Sequence, residues 1–280
     1  MDHVPGDAAA EFARRYGPWA VIAGASEGTG RAFARQVAAK GVNCILIARR
    51  EGPLAEVAAQ IRGESGVECI AAAIDLARPD AFGRIMDATG GREIGLYIAN
   101  AGADPNGSTF LDKGVGAWLD LIQRNVLSSV QCCHHFGQAM RTRGRGGVLL
   151  VGSAACYGSG PSLATYSGVK AFDLCFAEGL WSELEPYGVD VLYLVLSMTD
   201  TPALRKLLAE KGLPPPPGLA SPDDVAALGL ARLGHGPIQN WGLRDDEIGY
   251  AVSSAAQRRA RVRMVAEASK AVLGGEGESK

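Results

Sequence analysis

Six short runs of apolar, β-prone residues recur along the chain, and their spacing limits the folds open to it. They are WAVIAGA (19–25), VNCILIA (42–48), VECIAAAI (67–74), IGLYIAN (94–100), GVLLVGS (147–153) and VDVLYLVL (189–196). In most of them apolar residues follow one another instead of alternating with polar ones, as they do in strands whose sheet is covered on both faces. Helical patterns fill the gaps, over 29–40, 53–63, 79–89, 115–142 and 163–186. Strands alternating with helices imply right-handed crossovers, so the expected fold is α/β, a doubly wound parallel sheet in a single domain.

The rhythm changes after Leu196. Residues 198–220 read as a short helix closed by a proline run, either a lid over the carboxyl edge of the sheet or a solvated connector. Ser221 then stands as an N-cap with Pro222 at the first helical position and Asp224 three residues on. The core is expected over about 17–242, with a helical tail over 243–280. Arginines at 258, 259, 261 and 263 give that tail a solvated or subunit-facing surface.

Formal charge is −2, from 28 basic and 30 acidic residues, which gives no electrostatic reason to expect nucleic acid or an anionic membrane as partner. No run approaches the length of a membrane span, and the first residues lack the apolar segment of a secretion signal. The six cysteines form no Cys-x-x-Cys pair, consistent with a reduced, cytoplasmic protein. CCHH at 132–135 cannot gather on one ion if helical, since neighbouring side chains diverge by roughly 100°. No metal site is expected.

The first strand runs into AGASEGTG, with glycines at 24, 28 and 30. A glycine-rich turn between a strand and a helix presents backbone N–H groups to phosphate, with no Cβ to hold it off. The spacing is G-x-x-x-G-x-G, and position 33 is Phe, so the G-x-G-x-x-G dinucleotide fingerprint is absent. The second strand ends ILIARR, where an acidic residue would grip a ribose 2′-hydroxyl; Ala48 stands there instead, followed by Arg49 and Arg50. Arginine at that point can pair with a 2′-phosphate, which favours NADP(H) over NAD(H), although two surface arginines would read the same way. Asp75 can accept from an adenine amine, Leu76 can donate its backbone N–H, and Asn100-Ala101-Gly102 ends the fourth strand with small residues.

Tyr166 and Lys170, in SGPSLATYSGVK, are four residues apart and share a helix face. A tyrosine with a pKa near 10 is a poor base at neutral pH, and an adjacent ammonium lowers that value by stabilising phenolate. Ser153 closes the fifth strand, from where it and the following helix could face one substrate oxygen.

Taken in order, the glycine turn, Asp75, Asn100-Ala101-Gly102, Asn125, Ser153 and Tyr166-x-x-x-Lys170 resemble the short-chain dehydrogenase/reductase family over roughly residues 19–205. The resemblance implies a Rossmann-type domain and hydride transfer between nicotinamide and a carbonyl or secondary alcohol; with Arg49 and Arg50 after the second strand, the expected pair is NADP(H) and a ketone or secondary alcohol. It implies a catalytic set of Ser153, Tyr166, Lys170 and Asn125. Ser153 would hold the substrate oxygen, Tyr166 move its proton, Lys170 bind the nicotinamide ribose, and Asn125 fix a water. The cofactor set it implies is Gly24, Ser26, Glu27, Gly28, Thr29, Gly30, Arg49, Arg50, Asp75, Leu76, Asn100, Ala101, Gly102, Tyr166, Lys170 and Thr201. Three departures from the family pattern stand out: Ala99 before Asn100, Glu27 where many NADP-dependent members are basic, and Leu196-Ser197 in place of Pro-Gly. The expected substrate is an apolar small-molecule carbonyl or alcohol (steroid-like, acyl or general carbonyl), and the expected assembly a homodimer or homotetramer. A non-catalytic nucleotide-binding or scaffold protein on the same fold is the alternative.

Overall fold

All strands of the computed structural model run parallel in one sheet, with β1 (Trp19–Ala23) near its middle. On one side of it lie β2 (Asn43–Ala48) and then β3 (Cys69–Ala73); on the other lie β4 (Ile94–Ala99), β5 (Gly146–Val151), β6 (Val189–Val195) and β7 (Ile238–Asn240). The structure describes residues 5–104 and 106–244, with isolated positions beyond (247, 257, 259, 260, 262–264 and 267). The helical tail expected over 243–280 therefore falls largely outside the described residues.

The consecutive apolar residues of the strands are explained by helices on both faces. Ala20 and Ile22 of β1 join a core with α1 (Pro5–Tyr16), α2 (Gly28–Ala38), α3 (Glu51–Ser65) and α9 (Pro222–Arg232). Trp19, Val21 and Ala23 face the opposite core, built with α4 (Ala81–Thr89), α6 (Ser128–Arg143) and α7 (Ala164–Leu184). A strand buried on both sides gains nothing from alternation, so its sequence is continuous in hydrophobicity.

Three elements differ from the sequence expectation. Among the described residues the sheet has seven strands, not six: β7 is three residues long, too short to display a period, and it exists by pairing with Tyr193–Val195 of β6. Helix α1 was not anticipated. It turns Phe12 and Tyr16 inward, and the Tyr16 hydroxyl donates to Asp190 Oδ2 (2.7 Å). Arg15 forks onto both oxygens of the same carboxylate at 2.6 and 2.7 Å, so α1 is tied to the start of β6. The single helix expected over 115–142 is α5 (Val115–Ile122) and α6 joined through a π-helical turn, Gln123–Leu127, which contains Asn125. Such wide turns inside helices occur frequently at functional sites.

The expected cap before α9 is present. Ser221 caps α9, accepting from the Asp224 N–H at 3.4 Å. In α6, Cys132 and Cys133 are buried while His134 and His135 are exposed, so the four side chains do not converge. No disulfide joins the six cysteines among the described residues. Among the described residues no helix is long and apolar enough to cross a membrane.

Candidate active site

From β1 the chain crosses to β2 on one side; from β4 it crosses to β5 on the other. The loops leaving β1 and β4 diverge, and a crevice opens between them at the carboxyl edge of the sheet. Ala23 pairs with Ala99, so Gly24 and Asn100 emerge side by side, and Asn100 Nδ2 donates to the Gly24 carbonyl at 3.2 Å. A Cβ on Gly30 would collide with that same carbonyl and lie 2.5 Å from Asn100 Nδ2. Gly24, at φ +75°, would place a Cβ 2.9 Å from the Ala101 Cα. Glycine is thus required by closeness at position 30 and by closeness and backbone hand together at position 24. Glu27, the N-cap of α2, is extended and leaves its side chain off the cap, and the first turn carries no acidic residue. Uncapped N–H groups and bare backbone at Gly28, Thr29 and Gly30 suit an anion such as a pyrophosphate, with Ser26 half-buried in the same loop.

At the end of β2, Arg49 is exposed and makes no hydrogen bond or ion pair among the described residues. Arg50 does: its Nη2 donates to Glu27 Oε2 at 2.5 Å. The two arginines that look equivalent in sequence therefore differ, one neutralising the acidic residue of the glycine loop and the other unpaired. Asp75 commits Oδ1 to the Ala77 N–H (3.1 Å), leaving Oδ2 open, and Leu76 is buried beside it. Sequence reasoning missed Arg124. It sits on the π turn with Nε buried and unpartnered; burial lowers its pKa, and Arg49 opposes its charge while Asp75, Asp120 and Asp104 support it. Only the fold brings Arg124 toward Arg49 and Asp75, so no local signal could have found it.

The groups expected to carry the chemistry gather at the ends of β4 and β5. Ser153 is extended at the end of β5 and its Oγ accepts from the Ala155 N–H at 3.2 Å, capping the 3-10 turn Ala154–Tyr157 against which α7 packs. Tyr166 is half-buried in the first turns of α7, and Lys170, one turn later, is buried. The Lys170 ammonium donates to the Val151 carbonyl at 3.1 Å and to Asp173 Oδ2 at 3.2 Å. Gly152 admits the Tyr193 ring, whose hydroxyl donates to the Lys170 carbonyl at 2.9 Å and fixes α7 on β6. Asn125 is buried, with Nδ2 donating to Leu121 O at 2.9 Å and Oδ1 unpartnered. A Cβ on Gly102 would collide with that oxygen and lie 2.8 Å from Lys170 Nζ. Gly102 is thus the point at which Asn125 from the π turn and Lys170 from α7 meet the loop after β4. The unpartnered Asn125 Oδ1 beside this bare backbone suits a bridging water.

Beyond β6 the chain stays paired through Leu196, whose carbonyl accepts from Ala154 N–H at 2.8 Å, before Ser197 and Met198 reach the surface. Thr199 bridges to Ala220, pinning the base of the 198–220 excursion, which carries α8 (Pro202–Glu210). Thr201 caps α8, its Oγ1 accepting from Leu204 N–H at 3.2 Å. Its methyl would lie 3.1 Å from a Cβ on Gly28, so Thr201 sits against the glycine loop with its hydroxyl hydrogen still available.

The family model described as short chain dehydrogenase matches residues 18–212. A very-long-chain 3-oxoacyl-CoA reductase of Laccaria bicolor is 34% identical over 194 residues; the match covers 68% of this chain and 57% of that protein's length. A solved structure from a study of 7beta-hydroxysteroid dehydrogenase stereoselectivity superposes with a TM-score of 0.77 at 30% identity, covering 84% of this chain and 91% of the other. A short-chain dehydrogenase from Sphingobium yanoikuyae, solved in complex with NADPH, gives 0.73 at 26% identity, covering 81% and 89%. With a parallel sheet in this order, a glycine turn at its switch point and Tyr166 and Lys170 on one helix face beside it, this chain belongs to the short-chain dehydrogenase family.

Proposed function

We propose that the protein is an NADP(H)-dependent oxidoreductase that interconverts a ketone and a secondary alcohol on an apolar substrate. The observation that carries this reading is the convergence at Gly102: Asn125 Oδ1 and Lys170 Nζ both crowd the place a Cβ would take there, with Tyr166 one turn from Lys170. When bound, the nicotinamide supplies a hydride to the carbonyl carbon or takes one from the alcohol carbon. Gly24, Gly28 and Gly30, with the first-turn N–H groups of α2, would hold its pyrophosphate. Arg49 would meet a 2′-phosphate, and the Arg50–Glu27 pair removes the negative charge that would otherwise oppose it. Asn100, Ala101 and Gly102 would lie along the ribose, and Thr201 would close over the loop.

In reduction Tyr166 would pass its hydroxyl proton to the ketone oxygen while Ser153 orients that oxygen. Lys170 would stabilise the phenolate left behind, and Asn125 would anchor the water that returns a proton. The relatives act, by name, on a 3-oxoacyl-CoA and on a 7beta-hydroxysteroid, and one structural neighbour carries NADPH. Exposed Met198 and half-buried Leu196, at the root of the 198–220 excursion, give the site mouth an apolar margin that suits such substrates.

NADPH oxidation is measured against a panel of steroid ketones, 3-oxoacyl thioesters and aromatic ketones, with Tyr166→Phe as control. Turnover that disappears in the variant while NADPH still binds is the expected result. Turnover retained by the variant refutes the role of Tyr166, and silence across the panel with NADPH bound favours the non-catalytic alternative.

A further inference from the structure

Among the described residues Lys170 and Asp173 are the only charged side chains that are buried, each 5% exposed. Their ion pair spans one turn of α7, with Nζ and Oδ2 3.2 Å apart, and Asp173 Oδ1 has no partner. A buried pair of this kind is a weak source of stability, because desolvating both charges cancels most of their attraction. Burial raises the pKa of Asp173, and the Lys170 charge opposes that rise. The other titratable groups that face the carboxylate are the Cys133 thiol from α6 and the Tyr193 hydroxyl from β6. Burial pushes both upward, so both stay neutral, and among the described residues Lys170 is the charged partner. No motif in the sequence marks Asp173; it reads as one more residue on a helix.

We propose that Asp173 is a positioning residue that holds the Lys170 ammonium in place and offsets its charge, weakening the pull of that ammonium on the Tyr166 hydroxyl. This rests on the acid–base role proposed above for Tyr166. An ammonium standing alone one turn away would stabilise phenolate strongly; with a carboxylate at 3.2 Å, less of its field reaches Tyr166. The site is thereby set to give a proton to a ketone oxygen, the reductive direction.

The test reads Tyr166 directly and needs no substrate. The pKa of Tyr166 is obtained from near-ultraviolet tyrosinate absorbance of the folded protein, as the difference between each protein and its Tyr166→Phe counterpart. Asp173→Asn keeps the shape and removes the charge, and it should lower that pKa by about 0.5 unit or more, a roughly threefold rise in the tyrosinate ratio. The pH at which alcohol oxidation sets in should move down with it. Asp173→Ser, smaller and also uncharged, gives the same readout if the Asn variant fails to fold. A Tyr166 pKa unchanged or raised in a folded variant overturns the proposal, even if activity or stability falls, since a merely structural carboxylate would leave it where it was. The two readings fail separately: turnover retained in Tyr166→Phe sinks the proposed function, whereas the titration reports the Asp173–Lys170–Tyr166 coupling regardless of turnover.

Discussion

Gly30→Ala should damage the protein far more than a single methyl group suggests. The new Cβ would collide with the Gly24 carbonyl, and Gly24 is held by its own N–H bond to Ile47 O at 2.7 Å, so the backbone cannot simply retreat. The other close atom is Asn100 Nδ2, at 2.5 Å, whose bond to Gly24 O must break if either group moves. Losing that bond costs about 1 kcal/mol, and overpacking a tight site costs about 1–3 kcal/mol. The sum is about 2–4 kcal/mol, a fall in melting temperature of roughly 4–16 °C for a chain of this size. Displacing the loop should also forfeit at least one charge-assisted phosphate contact, so NADPH affinity should drop about tenfold or more. Urea unfolding and NADPH fluorescence titration measure the two effects. Gly63→Ala is the control: it lies in α3 with nothing within 4 Å of where a Cβ would stand, and it should stabilise by about 0.5–1 kcal/mol. A Gly30→Ala protein within about 0.5 kcal/mol of the parent, with unchanged NADPH binding, would refute the argument from closeness.

Arg49→Ala should weaken NADPH about tenfold or more and NADH by less than about twofold, because only the former has a 2′-phosphate for the unpaired guanidinium; equal losses overturn that assignment. Burial raises the Cys69 thiol to about 11 and Cys132 to about 12, with Cys44 and Cys133 also pushed up. Above roughly pH 8.5 the unfolded thiols lose protons that the folded ones keep, so stability, fully present below that pH, should fall by up to about 1.4 kcal/mol per unit for each thiol. Urea unfolding at a series of pH values should show this decline through pH 9 and 10, and a flat profile would contradict it. Phe172 is exposed yet stacked on Phe176, on α7, against which the partly apolar α5 packs with Leu119 exposed. Light scattering should therefore find a dimer or tetramer that Phe172→Asp dissociates; a monomeric parent protein at working concentration counts against pairing through this face.

What the sequence could carry were features whose evidence lies within a few residues. The six long strands were legible because burial on both faces leaves continuous apolar runs. Tyr166 and Lys170 were legible because four residues make about one helical turn, and the glycine loop because its spacing coincides with a strand end. Each of these is a local constraint on backbone or side-chain direction, so it is written in adjacent letters.

Tertiary structure decided whatever depends on which elements become neighbours. It separated Arg50 from Arg49 by giving one of them Glu27, which is 23 residues away in sequence. It brought Arg124 toward Arg49 and Asp75, and it placed Gly102 between Asn125 and Lys170. It broke the expected long helix at the π turn that carries Asn125, and it made a strand of Ile238–Asn240 by offering it the edge of β6. The Lys170–Asp173 pair shows where the boundary falls: its spacing is in the sequence, but its burial between α6 and β6 is not. Burial is what sets this pair apart from an ordinary helical ion pair, because the low polarity of the interior screens its charges less than water would.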